Sequence, residues 1–569
     1  MAVPSQQYAF RAQKSLGLVG GTPDYAPLEA FKAPESAART YQYSSDGRLF
    51  ALALPEGVFI YQAESAQLLQ QLQIPGVVEI NFSPRGTYIS TWERPVKLDD
   101  GSQHKNLRIF SVSTGEELAS FTQKSQEGWD VQYTISESHA IRLAGQEIQV
   151  FNPADWSKGV VDKLKVEGVK SITLSPGLNP SVAVFIGEKK GAPAIIRVLG
   201  LLSLNSAPTG QKTFYKADRA TIKWNTLGTQ VLILTQTDVD AANKSYYGET
   251  GLYLLSAAGN FDCRVTLDKE GPIHDFAWSP NSKEFGVVYG FMPAKAMIFD
   301  QRVRTLHDFG AAPQNFISFN PQGRLVALAG FGNLAGKINV YDRRTLAKVT
   351  TIDAPNTSHC EWSPDGRFLL TATLSPRLRV DNGIKIWHCT GPLVHVQLTD
   401  ELYQVGWRPT PVDALPPFGQ ALPPAPAPAP SDGEKKGQRK RKGGKDKEKG
   451  GAGGGSAAPS GAATPVVPPT PPNEDAKPTP GKLELKVNGN GTLQVPGEAG
   501  NSVPPTPGGE AGLDPVAKKV RNLNKKLKAI DELKDKQKKG ERLEATQLKK
   551  IETEAEIRKE LSTLTNSAA

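Results

Sequence analysis

Cysteine is scarce in this chain: three residues in 569, Cys263, Cys360 and Cys389, far apart in sequence. That spacing makes no disulfide framework and no pair at zinc-ligand separation, and it fits a reducing compartment. Long apolar runs are missing too. Nothing approaches ~18 uninterrupted apolar residues, and the start, Met-Ala-Val-Pro-Ser-Gln-Gln, lacks the charged and apolar stretches of a signal peptide. No membrane partner is expected, and the expected location is cytoplasmic. The signatures of catalysis are absent as well. There is no G-x-x-x-x-G-K-[ST] phosphate cradle, no G-x-S-x-G elbow, no H-E-x-x-H and no RNA-recognition sequence of the basic-Gly-aromatic kind. Neither an enzyme activity nor a cofactor or metal is expected. His359-Cys360 and His388-Cys389 are sequence neighbours, and neighbours on a strand point to opposite faces, so both pairs are expected to pack rather than chelate. Trp92, Trp129, Trp156 and Trp224 are expected in packing rather than as a platform for bases.

What the chain has in quantity is one kind of turn. In Trp362-Ser-Pro-Asp-Gly366 an aromatic ends one apolar run, the turn reverses the chain, and a second run leaves. Proline presets φ and glycine accepts positive φ, so this reads as a hairpin. The pattern recurs at Phe82-Ser-Pro-Arg-Gly86, Trp278-Ser-Pro-Asn281 and Phe319-Asn-Pro-Gln-Gly323. Fainter copies start at Tyr43, Leu174, Trp224 and Trp407, and the faintest, Tyr133-Thr-Ile-Ser136, has neither proline nor glycine. Successive markers lie 39 to 54 residues apart. A period in the forties marks WD40-type propeller blades. A second marker runs in phase downstream, at Ile109-Phe110, Val150-Phe151, Ile298-Phe-Asp300, Val340-Tyr-Asp342 and Ile386-Trp-His388. The expected fold is therefore all-β, a WD40-like β-propeller of nine blades over residues 1–412. The strands before the first marker are expected to complete the ninth blade, whose own sequence stops short after Trp407. Polar excursions at 91–106 and 237–250 read either as solvated connections or as partner sites.

From 413 to 512 proline, glycine, alanine and serine dominate, a composition expected to stay disordered because it buries too little apolar area to offset chain entropy. The formal charge of +9 is uneven: residues 1–412 carry 40 basic and 38 acidic residues, and the remainder is net +7. Within the linker, Lys435, Lys436, Arg439, Lys440, Arg441 and Lys442 lead a run with no interleaved aromatics, suited to phosphate contact or to a solubilising or import-like role. Helix is expected again at 513–563. Asp514-Pro515 supplies a cap, and Val516, Val520, Leu523, Leu527 and Ile530 form a heptad seam beside Lys518, Lys519, Arg521, Lys525, Lys526 and Lys528. After Gly540 a second amphipathic run, about neutral in charge, completes a helical hairpin or docks separately on a partner, in the manner of a short coiled coil.

Several stretches resemble the eukaryotic translation initiation factor 2A family: Asp240-Ala-Ala-Asn-Lys-Ser-Tyr-Tyr-Gly-Glu249, Tyr289-Gly-Phe-Met-Pro-Ala-Lys-Ala-Met-Ile-Phe-Asp300, Phe331-Gly-Asn-Leu-Ala-Gly336 and Pro376-Arg-Leu-Arg-Val-Asp-Asn-Gly-Ile-Lys-Ile-Trp-His388. The resemblance resumes at Val520-Arg-Asn-Leu-Asn-Lys-Lys-Leu-Lys-Ala-Ile530. It implies a nine-bladed propeller and GTP-independent delivery of initiator methionyl-tRNA to the small ribosomal subunit, in specialised or stress-condition initiation. It also implies that the C-terminal region binds mRNA and the subunit-joining GTPase factor, which would make the basic residues at 435–442 and 518–528 RNA- or ribosome-binding. The alternative is a protein-interaction scaffold on the small ribosomal subunit without direct tRNA contact, of the kind found in the propeller-bearing component of initiation factor 3, whose ring resembles this one.

Overall fold

The computed structural model describes residues 5–189, 192–215, 217–237 and 248–427, together with Ile530, Lys534, Glu554 and Arg558. The described residues form nine antiparallel sheets, eight of four strands and one of three. Blades 1 to 8 occupy residues 40–72, 77–121, 132–165, 169–214, 219–264, 273–312, 316–353 and 359–398, each paired in simple chain order. Blade 9 joins the two ends of the ring: Leu402–Trp407 is its first strand, Gln7–Ala12 pairs with it, and Leu16–Gly20 follows. The fourth strand of blade 9 is replaced by irregular chain. Leu28 donates its backbone N–H to Leu18, and Gly20 donates to Ala26, so residues 26–28 cover an edge that would otherwise invite pairing with another molecule.

Every marker residue expected from the sequence ends the first strand of its blade, from Tyr43 to Trp407. First strands of neighbouring blades touch, so they lie innermost. Their side chains bind across the gap. Gln42 accepts from the Phe82 N–H at 3.0 Å, Gln132 from Leu174 at 2.7 Å, and Gln404 donates to the Tyr41 carbonyl at 2.8 Å. Second strands are buried on both faces, as in Glu284–Tyr289 and Phe368–Thr373, because each is sandwiched between neighbouring sheets. Fourth strands are largely exposed. Nine apolar clusters result, one at each blade–blade contact. The closing contact joins Tyr8 and Val19 to Phe368 and Ile384, and the next joins Ala9 and Leu18 to Tyr41 and Phe50. The core is thus divided among nine interfaces and depends on ring closure.

The turns explain their own composition. The residue after the marker caps the returning strand: Ser44 accepts from the Leu49 N–H, Ser83 from Tyr88, Ser363 from Phe368 and Asn320 from Leu325, all at 2.9 Å. This is the local side-chain-to-backbone bonding at which Ser and Asn are favoured. The fourth position after the marker is left-handed on seven blades, at φ +68° for Gly228; after Leu174 the third position, Gly177, takes positive φ instead, and after Trp407 the chain does not turn back. The faint copy at Tyr133 keeps the same backbone with Glu137 at φ +57°, and the copy at Trp278 does so with Ser282 at +59°. At Gly228 a second constraint applies, because a Cβ there would stand 1.7 Å from the Pro176 carbonyl oxygen of the preceding blade.

Three details differ from the sequence expectation. Thr91 to Glu93 belong to a strand rather than to the polar excursion, and Trp92 among them is packed in the core between blades 2 and 3, as expected of that tryptophan. Cys389 lies just beyond the strand Gly383–His388, so strand alternation does not separate it from His388; the His388 Nε2 and Cys389 Sγ are 3.9 Å apart. Finally, part of the Pro-rich segment lies on the ring. After a short turn at Val412–Ala414, Phe418 and Leu422 pack against the cluster between blades 7 and 8. Gln322 brackets the strap, donating to the Pro416 carbonyl at 3.1 Å and accepting from the Phe418 N–H at 2.9 Å. Arg324 donates to the carbonyls of Gly419 and Gln420, and Arg344 to that of Gln420.

Of the C-terminal unit, Ile530, Lys534, Glu554 and Arg558 are helical. Lys534 forms an ion pair with Glu554, which also binds Arg558 at 3.0 Å.

Candidate functional site

Marker turns of neighbouring blades contact one another, as Ser45 does Pro84 and Leu227 does Ser282. They define one face of the ring, the turn face. The connections between second and third strands emerge on the other, the loop face. Apart from the long connection 94–106 of blade 2, three connections that exceed the needs of a hairpin lie there side by side on blades 6 to 8, at 290–293, 330–336 and 374–382. These stretches carry family-like sequences. Most of the corresponding stretch of blade 5, 238–247, lies outside the described residues. A propeller requires none of these sequences, so their residues are free to be chosen for a partner.

Each of the three described loops is held by its own polar anchors. Gly290 and Phe291 donate backbone N–H groups to Pro272 and Glu270 in the preceding crossover, at 2.9 Å each. That pins the loop and leaves Phe291 and Met292 each 43% exposed. In blade 7 the Asn315 side chain closes a two-way bond with the backbone of Phe331, at 2.9 and 3.0 Å, and Phe331 packs on Phe316 with ring centroids 5.2 Å apart. In blade 8 the buried Asn382 donates to the carbonyls of Thr373 and Leu378, at 3.0 and 2.8 Å. This folds 376–381 outward, exposing Arg377, Arg379 and Val380. Gly332 of blade 7 lies against the Arg377 guanidinium. Neither Arg377 nor Arg379 has an ion pair or hydrogen bond among the described residues. The loop face of blades 6 to 8 therefore offers exposed apolar side chains, Phe291 and Met292 on blade 6 and Val380 on blade 8, and on blade 8 uncommitted guanidiniums. This combination suits stacking and phosphate contact at once. Farther round, where the β1–β2 hairpin (Gln7–Ala12, Leu16–Gly20) meets the crossover 398–401, Phe10, Lys14, Leu398 and Glu401 line an open cleft of about 550 Å³.

The groups that might suggest catalysis are committed to packing. Burial pushes the thiols of Cys360 and Cys389 up to about 12, so both stay protonated and unreactive at neutral pH. Burial lowers the His388 imidazole, which stays neutral. Among the described residues no group of three or more His, Cys, Asp or Glu side chains is placed to hold a metal. No helix among them is long and apolar enough to cross a membrane. The tryptophans are structural: Trp92 and Trp156 are buried, and Trp224 donates to the Thr173 carbonyl of the neighbouring blade at 3.2 Å.

The twelve basic residues expected to contact RNA or the ribosome, Lys435, Lys436, Arg439, Lys440, Arg441, Lys442, Lys518, Lys519, Arg521, Lys525, Lys526 and Lys528, lie outside the described residues. The exposed loop-face arginines were not singled out by charge, because isolated arginines do not form a run. The signal that points to them is sequence in excess of what a blade needs.

Comparison with known proteins gives this surface a context. Residues 212–405 match the model of the family described as eukaryotic translation initiation factor eIF2A, and residues 518–564 match its C-terminal domain. The chain is 44% identical to the eukaryotic translation initiation factor 2A of Schizosaccharomyces pombe over 98% of both proteins. A crystal structure of the eukaryotic initiation factor superposes with a TM-score of 0.67 at 47% identity, covering 72% of this chain and 99% of that one. A more distant likeness, 24% identity over 67% of this chain and 58% of the relative, is to one component of Dictyostelium discoideum translation initiation factor 3. With relatedness of this degree along nearly its whole length, the chain belongs to the eukaryotic translation initiation factor 2A family.

Proposed function

We propose that this initiation factor carries initiator methionyl-tRNA to the small ribosomal subunit without GTP, in the cytoplasm, for specialised or stress-condition initiation. Family membership over almost the full length carries the reading. The uncommitted Arg377 and Arg379 with the exposed Val380 after them, and the exposed Phe291 and Met292 on the same face, support it by supplying an RNA-compatible surface on the ring. The basic residues at 435–442 and 518–528 supply electrostatic contact with mRNA or ribosomal RNA, and the helical tail is the docking element for the subunit-joining GTPase factor. The Lys534–Glu554 ion pair supports a tail in which the two helical runs meet as a hairpin. A second reading, a scaffold on the small ribosomal subunit without tRNA contact, is supported by the likeness to a component of initiation factor 3.

Co-sedimentation with purified small ribosomal subunits and initiator tRNA separates the two. The full chain is compared with Arg377→Glu/Arg379→Glu, and with a variant carrying serine at Lys435, Lys436, Arg439, Lys440, Arg441 and Lys442. The delivery reading expects the factor to bring tRNA to the ribosomal particles without GTP. It expects Arg377→Glu/Arg379→Glu to lower tRNA recovery, and the serine variant to weaken sedimentation with the particles mainly at low salt, where phosphate contacts contribute most. If the factor sediments with the particles and tRNA recovery does not rise above background, delivery fails and the scaffold reading stands.

A further inference from the structure

The turn face carries a marker turn on each of blades 1 to 8, yet the exposed positions differ by sector. On blades 4 and 5 they are apolar, with Leu178, Leu202 and Leu227 at 90%, 73% and 61% exposure. On blades 6 and 7 they are cationic. There the carboxylates are consumed by internal pairs: Arg343 grips Glu284 at 2.9 and 2.7 Å, Arg324 grips Asp342 at 2.8 and 2.7 Å, and Arg304 binds Asp300 at 2.6 Å. On the turns themselves three exposed cations remain with no carboxylate partner among the described residues, Lys283, Arg302 and Arg344. They are neighbours. The Gln301 side chain donates to the Ser282 carbonyl at 2.8 Å, setting Arg302 beside Lys283, and the Arg343–Glu284 pair brings Arg344 to the same edge.

We infer that this sector, Lys283, Arg302 and Arg344 on the turn face of blades 6 and 7, is a binding site for the phosphate backbone of RNA. It is distinct from the loop face and from the basic linker, and it rests on the RNA-handling reading only for its choice of ligand. Two observations select RNA over an acidic protein segment. The turns that bear the three cations expose no large apolar side chain, whereas a protein interface needs a buried apolar anchor. The bidentate Arg–carboxylate pairs also hold those turns rigid, so the spare cations are preorganised rather than ordered on binding. The strap reinforces the placement: Arg344 spends one nitrogen on the Gln420 carbonyl, so the chain runs on toward its basic linker from this same sector.

The test measures binding of an unstructured single-stranded RNA oligonucleotide to the full-length chain as a function of salt. Each phosphate contact on a single strand contributes about −0.7 to the log–log slope. The variant Lys283→Glu/Arg302→Glu/Arg344→Glu should therefore bind with a slope shallower by about 2, meaning that wild type loses roughly twentyfold more affinity between 50 and 200 mM salt. Lys283→Glu/Arg302→Glu, which leaves the strap bond intact, should shift the slope by about 1.4. The control Lys97→Glu/Lys105→Glu/Lys124→Glu makes the same change in net charge on exposed loop-face residues of blade 2 and should leave the slope unchanged. All variants should melt with wild type. An unchanged slope in the first variant, or an equal shift in the control, overturns the site. So does an acidic polypeptide whose binding is lost while RNA binding is kept. If tRNA delivery fails and the slope still falls, the delivery proposal is wrong and this site stands; the converse result separates them the other way.

Discussion

The two faces of the ring are built on opposite terms. On the turn face the chain repeats one solution on most blades, with a capping hydroxyl or amide, a left-handed fourth residue, and backbone in near contact with the turn of the next blade. Variation is confined to the exposed corner of each turn, which is how apolar and arginine-rich sectors arise on a uniform frame. On the loop face nothing repeats. Each long connection has private anchors, such as Asn382 or the Asn315–Phe331 pair, and its outer residues answer to no blade requirement. The contrast teaches where stability and recognition are written. A change at a turn is felt by two blades, and a change at a loop tip is felt by a partner.

The sharpest way to break this comparison is at ring closure. Deleting residues 1–20 removes two strands of blade 9 and the buried Tyr8, Ala9, Leu16 and Leu18. Fully burying one large apolar side chain contributes about 1.5–3 kcal/mol, so several are lost together with an inner ladder. The expected outcome is loss of cooperative melting for the whole ring; an unchanged transition would show that the blades stand without closure. Next comes Gly228→Ala, which combines a left-handed backbone with the approach to Pro176 and should cost roughly 3 kcal/mol in chemical denaturation.

Acid should separate the faces by charge. Burial opposes ionisation of Asp342, but hydrogen bonds from Arg324 and from backbone amides outweigh it and hold the carboxyl below its ordinary value of 3.8. A depressed carboxylate contributes stability above its unfolded value, and that contribution is lost as pH falls through the folded one. Asp342→Asn should therefore cost about 2 kcal/mol at neutral pH and flatten the loss of stability below pH ~4 seen in wild type. Phe418→Ala removes the half-buried anchor of the strap and should cost about 1 kcal/mol, with faster proteolytic cleavage after residue 412. Smallest of all, Phe291→Ser with Met292→Ser on the loop face should stay within about 0.5 kcal/mol of wild type, as exposed positions do.

Much of the architecture was legible because propeller turns are local events. Pro and Gly set φ, Ser and Asn cap within five residues, and the aromatic ends a strand that alternates with period two. Even the turn at Tyr133 could be placed, by spacing, although its left-handed residue is Glu137 and no glycine announced it. Less was legible where burial depends on residues distant in sequence. Thr91 to Glu93 read as the start of a polar excursion because Arg94 and Lys97 follow, yet they finish a strand whose Trp92 is enclosed by Leu107, Val131 and Phe151. Residues 415–422 read as linker by composition, and they are held because Gln322, Arg324 and Arg344 happen to present donors and an acceptor along one line.

By itself, then, the sequence determined the repeat, its number and the kind of turn, since these follow from torsional preferences and hydrophobic period within a few residues. It also marked the stretches a propeller does not need. Only the tertiary structure decided that those stretches share one face, that Arg377 and Arg379 are left without partners among the described residues, and that Lys283, Arg302 and Arg344 stand together after their neighbours are paired. The reason is physical. Which charges remain free depends on which others are close enough to neutralise, and that distance is set by packing between blades rather than by order along the chain.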